Sequence, residues 1–78
     1  MEKAIYSKKS ELLRKLLIQK RNEKELSIRG LAELLNVHHS IVGKIETGER
    51  QLNIIEFIEY CETLEIDPVE IVARLKDL

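Results

Sequence analysis

Residues 27–48, SIRGLAELLNVHHSIVGKIETG, read as two short helices joined by a tight turn. Ser27 can open the first, because its hydroxyl accepts an orphan amide of the opening turn. Leu31, Ala32, Leu34 and Leu35 then follow at helical spacing as a buried stripe. Asn36 suits a left-handed C-cap, and Val37 reads as a buried hinge. The next helix covers about His38–Thr47, with Ile41, Val42 and Ile45 as its apolar positions. Gly48 ends it in the left-handed conformation that glycine adopts at low cost. The outward residues of this helix are then His38, His39, Ser40, Gly43 and Lys44. They are small or polar, and none is acidic.

The flanking sequence gives three more helices and no alternating strand pattern. Upstream, a helix begins near Ser7 or Ser10, with Leu12, Leu13, Leu16 and Leu17 on one face. Its other faces are basic, and it runs out in the polar stretch 22–25. Residues 1–6 precede it as a short arm carrying Ile5 and Tyr6. Downstream, Asn53 caps a helix whose inner face is Ile54, Phe57, Ile58, Cys61 and Leu64. Glu56, Glu59, Glu62 and Glu65 form its outer stripe. Asp67-Pro68 is the cleanest boundary, since Asp caps and Pro at the first helical position loses no hydrogen bond. The last helix runs from Pro68 to about Lys76. Val69, Ile71, Val72, Leu75 and Leu78 cover more than one stripe of it, so some should stay exposed on a monomer. The expectation is an all-α chain, one domain over residues 1–78, built as a five-helix bundle with a helix-turn-helix at about 27–47.

Composition narrows the function. Seventy-eight residues support one core, which buries about 60% of the unfolded surface. With 12 Leu, 10 Ile and 4 Val but three Gly and one Pro, the chain is neither disordered nor collagen-like. A single Cys makes no internal disulfide and no Cys-based zinc cluster. No apolar run approaches membrane-spanning length and no signal-peptide core is present, so a cytoplasmic location is expected. The net charge of −1 hides an asymmetry. Residues 1–50 carry 11 Lys and Arg against 7 Asp and Glu, whereas residues 51–78 carry 2 against 7. The basic half suits a polyanion and the acidic half faces water or a basic partner. His38 and His39, adjacent on a helix, point about 100° apart and make a poor chelate, so no metal and no cofactor are expected. Cys61 reads as a core thiol, and Tyr6 and Tyr60 as packing or interface residues. No phosphate-binding glycine loop and no nucleophile–base spacing are present, so an enzyme is not expected.

Seen whole, Leu17 to about Leu75 resembles the phage-repressor-like (Cro/CI-type, XRE) helix-turn-helix family. The resemblance is carried by Leu17 with Arg21, Leu26-Ser27, Leu31 to Leu35, Val37, Ser40 to Arg50, and Leu64 with Asp67-Pro68. It implies a lambda-repressor-like bundle that places its third helix in the DNA major groove. The chain departs from the family at Glu25, where Gly often turns the chain, and at Ile28, where Gln often reaches DNA. It also has His39 where a related subgroup often has Gln, and Gly43 where that subgroup often has Ser. Arg21 and Glu46 resemble the family's semi-buried ion pair between helices one and three. A carboxylate near a helix C-terminus opposes the macrodipole, so Glu46 needs a cation.

The resemblance and the outward arc together imply a sequence-specific double-stranded DNA-binding transcriptional regulator, a homodimeric repressor acting on an inverted-repeat operator. His39, Ser40, Gly43 and Lys44 are the candidate base readers. Ser27, Arg29, His38 and Arg50 are the candidate backbone contacts. The alternative is a protein-interaction module, in which the acidic face of helices four and five holds a partner as an antitoxin holds its toxin.

Overall fold

The computed structural model describes residues 7–78, and the expected arm 1–6 lies outside them. The described residues form five α-helices and no strand: α1 (Lys8–Glu23), α2 (Ile28–Leu35), α3 (His39–Thr47), α4 (Ile54–Leu64) and α5 (Pro68–Lys76). Each starts at a side chain that accepts an otherwise orphaned amide: Ser7, Ser27, His38, Asn53 and Asp67. Asn53 and Glu56 complete a reciprocal capping box, in which each side chain accepts the other's amide. Asn36, Gly48 and Glu65 end their helices in the left-handed region. Among the described residues no helix is long and apolar enough to cross a membrane.

Leu17, Leu31, Ala32, Val42, Ile45, Tyr60 and Leu64 form the main core. It ties α1, α2, α3 and α4 together. A second cluster of Leu16, Phe57, Cys61 and Ile71 seals α5 onto α1 and α4. Four expectations fail here. Leu34 is 61% exposed, because α2 meets its neighbours through Leu31 and Ala32 instead. Val37 is exposed rather than a buried hinge, since the chain reverses on the surface after Asn36. Ile54 and Ile58 also face outward, while Tyr60 takes the inner position beside Phe57 and Leu64. Glu56 is not part of a free acidic stripe. It is held by the Asn53 amide and by Arg50.

The turn after α1 places Glu25 at φ 57°. A side chain there clashes with its own backbone, at a cost of roughly 1 kcal/mol that glycine avoids. Glu25→Gly is expected to raise stability by about 0.5–1 kcal/mol, a few degrees in thermal midpoint. An unchanged or lower midpoint in thermal unfolding would show that this turn is unstrained.

Candidate nucleic-acid interface

α2 and α3 pack against each other across the Asn36–His38 turn, and their cap residues Ser27 and His38 are exposed. Ser27 Oγ accepts the Gly30 amide at 2.9 Å. His38 Nδ1 accepts the Ser40 amide at 3.1 Å, which leaves Nε2 as the protonated nitrogen of a neutral ring. Ser40 Oγ lies 2.8 Å from the same Nδ1, so its hydroxyl is engaged locally. The His38 and His39 rings lie 4.2 Å apart at 31°. His39 is held below the ordinary histidine value, by lost hydration first and then by the positive charge of Arg29. Arg29 of α2 is therefore within electrostatic reach of the first turn of α3.

Val42 and Ile45 are buried, and a helix advances 100° per residue. His39, Ser40, Gly43 and Lys44 consequently share the opposite arc. Lys44 is exposed and the other three are half-buried. A Cβ added at Gly43 would meet no atom within 4 Å. Packing inside the molecule therefore gives no reason for glycine there. The same arc contains Thr47, which the sequence reading passed over. Its signal was present, four residues beyond Gly43 and seven beyond Ser40. Thr47 Oγ1 lies 3.2 Å from the Lys44 carbonyl and 3.0 Å from a Glu49 carboxylate oxygen.

α3 is fixed from behind by Arg21 of α1. Its Nε donates to Glu46 Oε2 at 2.6 Å and its Nη2 to Glu46 Oε1 at 3.0 Å. Nη1 donates to the Leu26 carbonyl at 2.7 Å, tying the turn before α2 to the same guanidinium. The Arg21 and Glu46 side chains are only 12% and 10% exposed. The bond to Glu46 first, then its charge, hold Arg21 above its ordinary value against the opposing effect of burial. Tyr60 lies in the same charge environment, with its hydroxyl buried and pushed upward by burial first and then by Glu46.

Arg50, on the loop after α3, donates from Nη2 to Glu56 Oε2 at 2.7 Å. That bond first, then the Asn53 amide, hold the Glu56 carboxyl below the usual carboxylate range. The loop carrying Arg50 is thereby anchored to the start of α4. Among the described residues no three His, Cys, Asp or Glu side chains are grouped to hold a metal ion.

A family model described as helix-turn-helix matches residues 17–71. In three dimensions the chain is similar to an XRE-family like protein from Pseudomonas syringae pv. tomato str. DC3000, at 30% sequence identity and a TM-score of 0.82. The match covers 88% of this chain and 84% of that one. No curated protein matches the chain.

Proposed function

The chain belongs to the XRE family of helix-turn-helix DNA-binding transcription regulators, and from that premise we propose a sequence-specific, homodimeric repressor. α3 enters the major groove with His39, Ser40, Gly43 and Lys44 toward the base edges. Ser27, Arg29, His38 and Arg50 take the phosphates, aided by the free amides that open α2. Arg21 and Glu46 set the angle of α3 without touching DNA. The reading is supported above all by the polar arc of α3, set opposite Val42 and Ile45, with open space at Gly43. It is tested by the affinity of the chain for short duplex DNA across a salt series. Steep salt dependence is expected, because each phosphate neutralised releases condensed counterions. A pure interaction module would show none.

Pairing is proposed through the C-terminal half. Val69 is 70% exposed, Val72 50% and Ile55 62%, more apolar surface than α4 and α5 need for their own packing. A two-fold pair there would present two α3 helices to successive major grooves about 34 Å apart. Sedimentation at micromolar concentration, with and without DNA, should show a dimer. A chain that remains monomeric on DNA contradicts this.

A second reading rests on the outer ridge of α4, where exposed Ile55 and Ile58 alternate with exposed Glu59 and Glu62. Such a ridge suits a basic protein partner. Glu59→Lys with Glu62→Lys is expected to leave operator affinity within about threefold, because both sites lie beyond a Debye length of about 8 Å from phosphate. The same change should abolish binding of a basic partner. A gain of several tens of fold in DNA affinity would put α4 against the backbone.

A further inference from the structure

Charge is split between two helices. α1 carries six Lys and Arg against two Glu, whereas α4 carries three Glu and no Lys or Arg. One charge from each is neutralised inside the fold, Arg21 by Glu46 and Glu56 by Arg50. Others are free, and they stand on two separate surfaces. On α4, Ile58, Glu59 and Glu62 share an exposed ridge, turned away from the buried Phe57, Tyr60, Cys61 and Leu64. Neither the Glu59 nor the Glu62 side chain has a partner among the described residues. Between α1 and α5 lies an open groove of about 770 Å³. Leu12, Leu16 and Ile18 supply its apolar part, and the exposed Lys15 and Arg74 supply its charge. Neither cation is bonded to any described residue, not even to the glutamate one turn earlier on its own helix, Glu11 or Glu70. The carboxylate that lines the groove, Glu23, lies 3.9 Å from the ammonium of Lys20. None of the residues proposed to meet DNA lines the groove or stands on the ridge.

We propose that the α4 ridge of one copy docks in the α1–α5 groove of another, with Glu59 and Glu62 meeting Lys15 and Arg74, and Ile58 resting on Leu12 and Ile18. This rests on the reading of the ridge as a partner surface and names the basic partner as the chain itself. The contact joins two different surfaces, so it runs head to tail. Each copy then keeps one surface open, and further copies can add. The two-fold pairing proposed above is not displaced. Ile71 and Leu75 turn α5 inward, which puts Arg74 on one flank and Val72 on the other. Ile55, one turn before Glu59, is left to that pairing. The head-to-tail contact therefore strings pairs into rows and leaves α3 open to DNA. Exposed ion pairs are weak and are screened by salt, so the rows form at high protein concentration and low ionic strength.

The test measures the average mass of the full chain by sedimentation at two salt concentrations. Charges act over about 30 Å at about 0.01 M salt and over about 3 Å at about 1 M. The unaltered chain should gain at least about twofold in average mass at the lower salt. Glu59→Lys with Glu62→Lys makes ridge and groove both basic, and Lys15→Glu with Arg74→Glu makes both acidic. Each variant alone should lose the gain. Mixed in equal amounts they should recover it, with amide shifts at Leu12, Ile18 and Ile58, because every ridge then meets a groove of opposite sign. Arg29→Glu with Lys44→Glu makes the same change of net charge as the groove reversal, but on the DNA face, and should keep the gain. Single reversals, Glu62→Lys and Arg74→Glu, give the same reading if a double variant does not fold. No gain in the unaltered chain, no recovery in the mixture, or loss of the gain in the Arg29 and Lys44 variant overturns the proposal. Loss on reversing the glutamates but not on reversing Lys15 and Arg74 also overturns it, and leaves the ridge standing as a surface for a different basic partner. A gain that neither reversal touches overturns both the contact and the ridge reading.

Discussion

Replacing Arg21 or Glu46 with alanine is expected to lower stability by about 2–3 kcal/mol, or some 10–20 °C in thermal midpoint for a chain of this size. Both side chains are nearly buried, so removing one strands the charge of the other away from water. The loss is larger than the roughly 0–1 kcal/mol of an exposed pair. Arg21→Ala also frees the Leu26 carbonyl that Nη1 now satisfies, so it should cost more than Glu46→Ala. A double-mutant cycle should give a coupling of about 1 kcal/mol or more. Additive losses below about 0.5 kcal/mol would show that the pair contributes nothing. Operator affinity should fall in both variants even where they remain folded, because α3 loses its link to α1.

Lys44→Ala is expected to cost about 1–3 kcal/mol on the best DNA site and to flatten preference at one or two base pairs. Lys44 is exposed on the arc opposite the core, and its ammonium can donate to guanine O6 and N7. The competing role is a phosphate contact. That role would weaken all sequences alike and lower the salt slope by about one unit. Affinity measured on matched and mismatched duplexes at two salt concentrations separates the two. His39→Ala should shift preference at a neighbouring position, since its ring is displaced from Lys44 along the same arc. An unchanged preferred sequence in both variants would remove α3 from base reading.

The helix boundaries were legible because capping is local chemistry. Ser7, Ser27, Asn36, Gly48, Asn53 and Asp67 each stand where the sequence expects a start or stop. The Asn53–Glu56 box is equally visible in the spacing, but charge alone places Glu56 on a solvent stripe. The errors in the core have one cause. In a helix of eight residues such as α2, Leu31, Ala32, Leu34 and Leu35 wrap too far round for periodicity to choose the buried side. Only the positions of the other helices decide that Leu34 faces water. The same holds for Ile54 and Ile58, which are as apolar as Phe57 but lie on the wrong side of α4. At the candidate interface, the arc of α3 could be read as the complement of Ile41, Val42 and Ile45. The bond between His38 and Ser40 could not, because it depends on a rotamer. Nor could the clamp of Arg50 on Glu56, which depends on how the loop folds back on α4. Glu25 stands where the resemblance led one to expect Gly, and its left-handed backbone shows that the turn takes the glycine-favouring conformation with a glutamate in place.

The most direct test is selection of binding sites from random duplex DNA, carried out in parallel with the unaltered chain and with Lys44→Ala. The expected result is an inverted repeat whose half-sites lie one helical turn apart, with preference at one or two positions of each half lost in the variant. Recovery of no enriched sequence, or of the same sequence with both proteins, would contradict the reading of DNA by α3.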